Sequence, residues 1–462
     1  MNRRFGILGP LRLALVAMAA TLLLRPSGAG ADSFDLSDLL LEPGRPIRLL
    51  PRNIEEVDRA AEAFRGGDEE GALRLLESAA EKHPSLPPAR AILAMLCFSA
   101  DRVPQARLLL ERAASESPED PTAYTLFGKL ALAERRVTDA KLAFEKAAGL
   151  GPPPSWTELQ RRELDLTCRE GLATVAEARG DWSSAREHLE AWLALEPADA
   201  TARHRLGRAL FWLGEVGPAR EALSRASGLS PSLEPPDVTL ARLFALKGDV
   251  EQAGRRFDRA IDDAPDDPRP FVAKAAWLLD RGLPGQIAPL VDELGRITPD
   301  STDLGKLRGL LARSRGDSGE AERHFRSLLE RDPGDAFARD QLALVLADQD
   351  DPEKRRKALE LAEMNARLSP EGPRALSTLG WARFRAGLAE PAEQALRLAV
   401  ARGESSPDTA YFLARVLDAS GRPDDAETLI RLALGRPGTF FARDRARSWL
   451  DDREADGGGD AP

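Results

Sequence analysis

Four histidines, two cysteines and a surplus of acids are the residues in this 462-residue chain that could do chemistry. Metal binding needs such ligands at close spacing, yet His83, His188, His204 and His324 are scattered, with no H-x-x-x-H or C-x-x-C grouping. Cys97 and Cys168 lie far apart and read as buried apolar side chains. No glycine-rich loop follows a strand to cradle phosphate, because no strand pattern is evident. Acidic pairs such as Asp262-Asp263 read as solvated helix ends. Arg179-Gly180-Asp181 and Arg315-Gly316-Asp317 spell a cell-adhesion tripeptide, but each sits in a turn where Gly ends one helix and Asp starts another. No catalytic residue, metal site or cofactor is expected, and the chain reads as not an enzyme.

The residues that do recur are small ones. Units begin at 53, 87, 121, 166, 200, 234, 268, 302, 336, 373 and 407. Their eighth residue is always Ala or Gly, as at Ala60, Gly128, Gly207, Gly309 and Gly380. The twentieth is Ala in every unit but the one holding Ile287, and the twenty-fourth is usually large, as at Leu76, Phe144 and Phe325. Most units close with Pro, from Pro84 to Pro370. Positions 4, 7, 8 and 11 share one helical face, as do 20, 24 and 27. A Gly-polar turn separates the two sets, as at Gly67-Asp68 and Gly248-Asp249. Each unit is therefore two antiparallel helices whose backbones approach closely at the small residues.

This pattern resembles the tetratricopeptide repeat family, in the form of an exported bacterial-type member. The resemblance implies an all-α fold, a right-handed α-solenoid of about eleven helix-turn-helix repeats over 53–438. Eleven extra residues before unit 4 predict a longer first helix from about Trp156 to Arg179, with a Ser155/Glu158 capping box. In unit 9, three extra residues in "ADQDDPEKRR" predict a longer turn. Residues 439–450, "TFFARDRARSWL", predict an amphipathic capping helix over the last open face, and 451–462 a disordered tail.

The first 31 residues carry four arginines and no acid, ahead of and around the apolar run "LALVAMAATLLL" (13–24). With Ala29-Gly30-Ala31 as a cleavage site, residues 1–31 read as a signal peptide, or alternatively an uncleaved anchor, and 32–52 as a linker. The chain is thus expected in the periplasm or outside the cell. The formal net charge of −10 argues against nucleic acid as a partner.

In such a solenoid the first helices line the concave surface. Position 9 of the units holds no acid and includes Lys129, Arg208, Arg242 and Trp381. His204, Arg205, Phe211 and Trp212 join it near the middle, and Phe384 beside Trp381 makes a later aromatic patch. These nine residues are the candidate groove. Cations beside exposed aromatics suit acidic or amphipathic peptide segments. No unit has Asn at position 6 or 9, so the clamp with which some family members grip cytosolic chaperone termini is absent. The resulting expectation is a protein-binding scaffold. The alternatives are a self-assembling structural unit and an accessory factor of an envelope export or assembly machinery.

Overall fold

A computed structural model of the chain describes residues 54–457, so the expected signal peptide, the linker and residues 458–462 lie outside the described residues. Every regular element among them is helical. Internal contacts divide the described chain into two units, 54–243 and 244–457.

In the N-terminal unit the pairs are α1 (Glu55–Arg65) with α2 (Glu69–Lys82), α3 (Ala89–Ser99) with α4 (Val103–Glu116), and α5 (Pro121–Ala133) with α6 (Val137–Leu150). They continue as α7 (Glu158–Arg179) with α8 (Trp182–Leu195), and α9 (Ala200–Trp212) with α10 (Val216–Leu229). The division falls within α11 (Pro236–Lys247), whose sequence partner is α12 (Val250–Asp263). The C-terminal unit then holds α13 (Pro268–Asp280) with a 3₁₀ turn and α14 (Ala288–Ile297), and α15 (Thr302–Ser314) with α16 (Ser318–Arg331). After these come α17 (Ala336–Ala347) with α18 (Pro352–Leu368), α19 (Pro373–Arg385) with α20 (Ala389–Ala401), and α21 (Pro407–Ala419) with α22 (Pro423–Gly435). A single helix, α23 (Arg443–Gly457), ends the chain. Helix pairs repeated along the described residues make the fold an α-solenoid.

The small residues do what their spacing implies. A Cβ added at Gly128 would come within 2.7 Å of the Phe144 ring, and one at Gly171 within 2.4 Å of the same ring. Gly207 faces Leu223 at 2.6 Å and Gly309 faces Phe325 at 2.5 Å in the same sense. Large residue 24 thus fills the gap that small residue 8 opens. Gly128→Leu should cost about 1–3 kcal/mol by overpacking, read as a lower midpoint in urea.

Turn chemistry closes each pair. Gly180 is left-handed (φ 70°), and Asp181 accepts from the Ser184 amide at 3.2 Å, so the adhesion tripeptide is a helix stop followed by a helix cap. Asp68, Asp249 and Asp317 cap α2, α12 and α16 the same way. At the same repeat position Asp101 (φ 56°) and Arg135 (φ 58°) adopt the left-handed form without being glycine. Relieving that Cβ strain with Arg135→Gly should raise stability by up to about 1 kcal/mol, visible as a higher melting temperature.

Three details differ from the sequence expectation. The capping box of α7 is Thr157/Gln160 rather than Ser155/Glu158, because Trp156 is buried and delays the helix start. The three extra residues of the ninth repeat go mainly into α18, 17 residues long and capped by Asp351, which avoids leaving polar backbone in a long turn. Helix α23 continues past 450 to Gly457, held where Arg453 meets Glu427 at 2.9 Å and Glu454 meets Arg431 at 2.8 Å. Cys97 and Cys168 are free and buried on different helices. Burial pushes their thiols up to about 11 and about 12, out of reach of ordinary alkylation.

Candidate functional site

Helix pairing leaves each first helix one side that faces neither its own partner nor the next pair. Position 9 reports on that side. In the N-terminal unit it is partly or fully exposed at Ala61, Lys129, Thr174, Arg208 and Arg242, and buried only at Met95. In the C-terminal unit it is buried at Ala276, Leu310, Leu344 and Trp381, with Arg415 half-exposed.

Of the N-terminal cations, Arg208 is exposed and Lys129 half-buried, and no ion pair among the described residues reaches either. Arg205 is committed elsewhere. Its guanidinium donates to Glu177 at 3.1 Å and to the Thr174 hydroxyl at 2.8 Å, and lies 5.4 Å over the Trp192 ring, tying α9 to α7 and α8. Arg242 pairs with Glu234 at 3.1 Å.

His204 stands 3.5 Å from the Thr239 hydroxyl. Burial first, and then the charge of Arg208, pushes its imidazole down to about 4. Unfolded, it would titrate near its ordinary 6.5, so its stabilising share is complete above that pH and is lost as pH falls toward 4. His204→Gln should therefore flatten the loss of stability between pH 6.5 and 4, measured by urea melts across that range.

The aromatics require correction, since exposure was expected of them. Phe211 is 2% exposed and packs edge-on to Trp212, whose own ring stacks on Trp182 at 5.6 Å. Position 13 thus points at the preceding second helix. Trp381 is 2% exposed, stacked on Phe412 at 4.4 Å, with Phe384 tilted against it at 5.5 Å. Large rings bury too much apolar area to stay outside when a neighbouring helix lies within reach. The structure brings His204, Arg205, Arg208, Phe211 and Trp212 together on α9. Lys129 on α5, Arg242 on α11, and Trp381 with Phe384 on α19 stand on other helices.

The C-terminal unit adds a polar set that sequence reading missed. Asp348, at the end of α17, accepts from the Trp381 indole N–H at 2.8 Å and from Arg445 at 2.9 Å. Arg313 of α15 donates to Gln341 at 2.8 Å and lies 4.1 Å over the Phe441 ring. Asp408 of α21 accepts from the backbone amides of Phe441 at 3.4 Å and Ala442 at 3.1 Å. Burial holds the Asp408 carboxyl above its usual range and the Arg313 guanidinium below its own, each opposed by the other's charge. No composition or spacing signal marks these residues, because their partners come from repeats far apart in sequence.

Among the described residues no cluster of three His, Cys, Asp or Glu side chains could hold a metal ion, and no helix is long and apolar enough to cross a membrane.

Comparison with known proteins agrees with the repeat geometry. A sequence model of the tetratricopeptide repeat matches residues 63–130 and 176–235. A TPR repeat-containing protein of Pseudomonas aeruginosa is 28% identical over 196 residues, an alignment that takes in 42% of this chain and 31% of that relative. The chain thus matches about a third of the relative's length. Among solved structures, a tetratricopeptide repeat protein of Parabacteroides merdae aligns at 17% identity and a TM-score of 0.39, covering 55% of this chain and 99% of that one. The TPR protein YrrB, described as having an unusual peptide-binding site, aligns at 22% identity and a TM-score of 0.34, covering 43% of this chain and 97% of that one. Residues 63–130 and 176–235 thus match the tetratricopeptide repeat, and helix pairs of the same kind recur along the described residues. Repeats of this kind support a protein-interaction scaffold.

Proposed function

We propose that this chain is a non-enzymatic scaffold that works outside the cytoplasm and holds acidic or amphipathic segments of protein partners along the first helices of its N-terminal unit. The observation that carries the reading is the open ninth position there, where Lys129 and Arg208 present cations that no acid of the described chain neutralises. Arg242 and Arg205 add positive charge already shared with Glu234 and Glu177, so they contribute less. A rim charge of this kind steers a partner and sets salt sensitivity more than it supplies raw affinity. The export assignment is supported by the arginine-led apolar run and the Ala-Gly-Ala site of residues 1–31.

The test uses a labelled acidic amphipathic helical peptide and fluorescence anisotropy. Lys129→Glu together with Arg208→Glu should weaken binding about tenfold and reduce its salt dependence, with the circular dichroism spectrum unchanged. Arg242→Glu alone should do much less. Binding that ignores the double reversal would remove these residues from the site.

A further inference from the structure

The segment after α22 does more than end the stack. A cap needs to cover only the last pair, and α23 does follow α21 from end to end. Ala442 bonds to Asp408, Arg445 lies 5.7 Å over the Tyr411 ring, and Trp449 donates to Asp418 at 2.9 Å. Yet the same segment touches first helices much earlier in the unit. The Thr439 hydroxyl donates to the Leu279 carbonyl of α13, and Gly438 lies so close to Gly282 that a Cβ there would meet its carbonyl at 2.6 Å. Phe441 sits under Arg313 of α15, and Arg445 reaches Asp348 of α17. One stretch of chain therefore spans repeats seven, eight, nine and eleven.

We propose that the first helices of the C-terminal unit form a recognition site for an aromatic–basic protein segment, and that residues 438–449 of this chain are its built-in competitor. The proposal stands independently of the N-terminal surface. Three features of the receptor define what it takes. Asp408 meets two backbone amides at the start of a helix, where unpaired N–H groups are obligatory. The guanidinium of Arg313 lies 4.1 Å over the ring of Phe441, two residues ahead of the first residue of α23. Asp348 takes an arginine four residues on, in the first turn of α23.

The receptor is also organised without its occupant. Arg313 is held by Gln341, and Asp348 by the Trp381 indole, through bonds that do not involve the segment. The segment is anchored by Phe440, Ala442, Ala446 and Leu450, which are buried, while the two side chains that meet Arg313 and Asp348 are more open: Phe441 is only partly buried, and the Arg445 side chain is 42% exposed. A tethered segment competes at an effective concentration on the order of millimolar, so an external segment binds well only when the internal one is released.

The experiment titrates a labelled peptide of residues 437–457 into the full-length chain and into a release variant, Phe441→Ala with Arg445→Glu. The release variant should bind the peptide about tenfold or more tighter than the parent, and adding Asp348→Asn should reverse the gain. A peptide carrying Arg445→Glu should bind neither. Equal binding to parent and release variant, or none to a folded release variant, would overturn the proposal. Should the release variant lose its helicity, hydrogen exchange on the parent decides. Amides 440–450 should exchange faster than those of α22 and faster still with excess peptide. Protection equal to that of α22, unaltered by peptide, would make the segment a fixed cap and nothing more.

Discussion

Phe144→Ala should cost the N-terminal unit about 3–5 kcal/mol, the largest loss from any single truncation there. The ring is fully buried and is clasped by two glycines from different first helices, Gly128 of α5 and Gly171 of α7. Both glycines are there to admit it. Neither carries a side chain that could swing into the space left by its removal, so the cavity stays open and its full penalty is felt. Repeat arrays lose stability locally, because each pair contacts mainly its neighbours. Hydrogen exchange should therefore rise most across 121–179 and little in α1 or α2. A shift below about 1 kcal/mol would mean that the helices collapse onto the gap and that the small-to-large pairing is not what fixes their spacing.

Lys306→Met should cost the C-terminal unit about 3–5 kcal/mol, for an electrostatic reason. Lys306 on α15 and Asp335 at the start of α17 are 5% and 4% exposed and stand 3.0 Å apart. Asp335 also caps α17 through the Ala338 amide at 3.0 Å, and the Lys306 ammonium lies 5.4 Å over the Phe337 ring. Removing the lysine leaves a carboxylate buried without its counter-charge, which is far worse than having no charge at all. The double substitution Lys306→Met with Asp335→Asn should recover most of the loss, since the amide oxygen can still cap the helix. Urea melts of the two variants make the comparison. A single variant as stable as the double would show that water reaches the pair.

Much of this was legible in the sequence, because a repeat states its local physics many times over. Ala or Gly at position 8, with Ala at position 20 and Pro at position 32 in most units, predicted helix pairs, and the described residues form helix pairs, several of them capped by the Gly-Asp turns. What escaped depends on neighbours that spacing alone does not reveal. Position 9, with Phe211 and Trp212 beside it, was expected to line the concave surface, but Trp381 and Phe211 are covered because a neighbouring helix lies within reach of a large ring. Trp212 is turned aside by Trp182, a residue of the preceding repeat. Arg205 looked like a groove cation and is a strut between helices, since Glu177 and Thr174 happen to stand one repeat back. The reach of Thr439 to Leu279 joins residues 160 apart, and no periodic signal encodes a contact made once. Patterns that repeat are readable; single long-range meetings are not.

The most direct test of the scaffold reading is hydrogen exchange on the full-length chain, with and without a saturating acidic amphipathic peptide. Protection should appear in the first helices α5, α7, α9 and α11, strongest around Lys129 and Arg208, and leave the second helices α6, α8 and α10 unchanged. Protection confined to the second helices, or none at saturation, would contradict it.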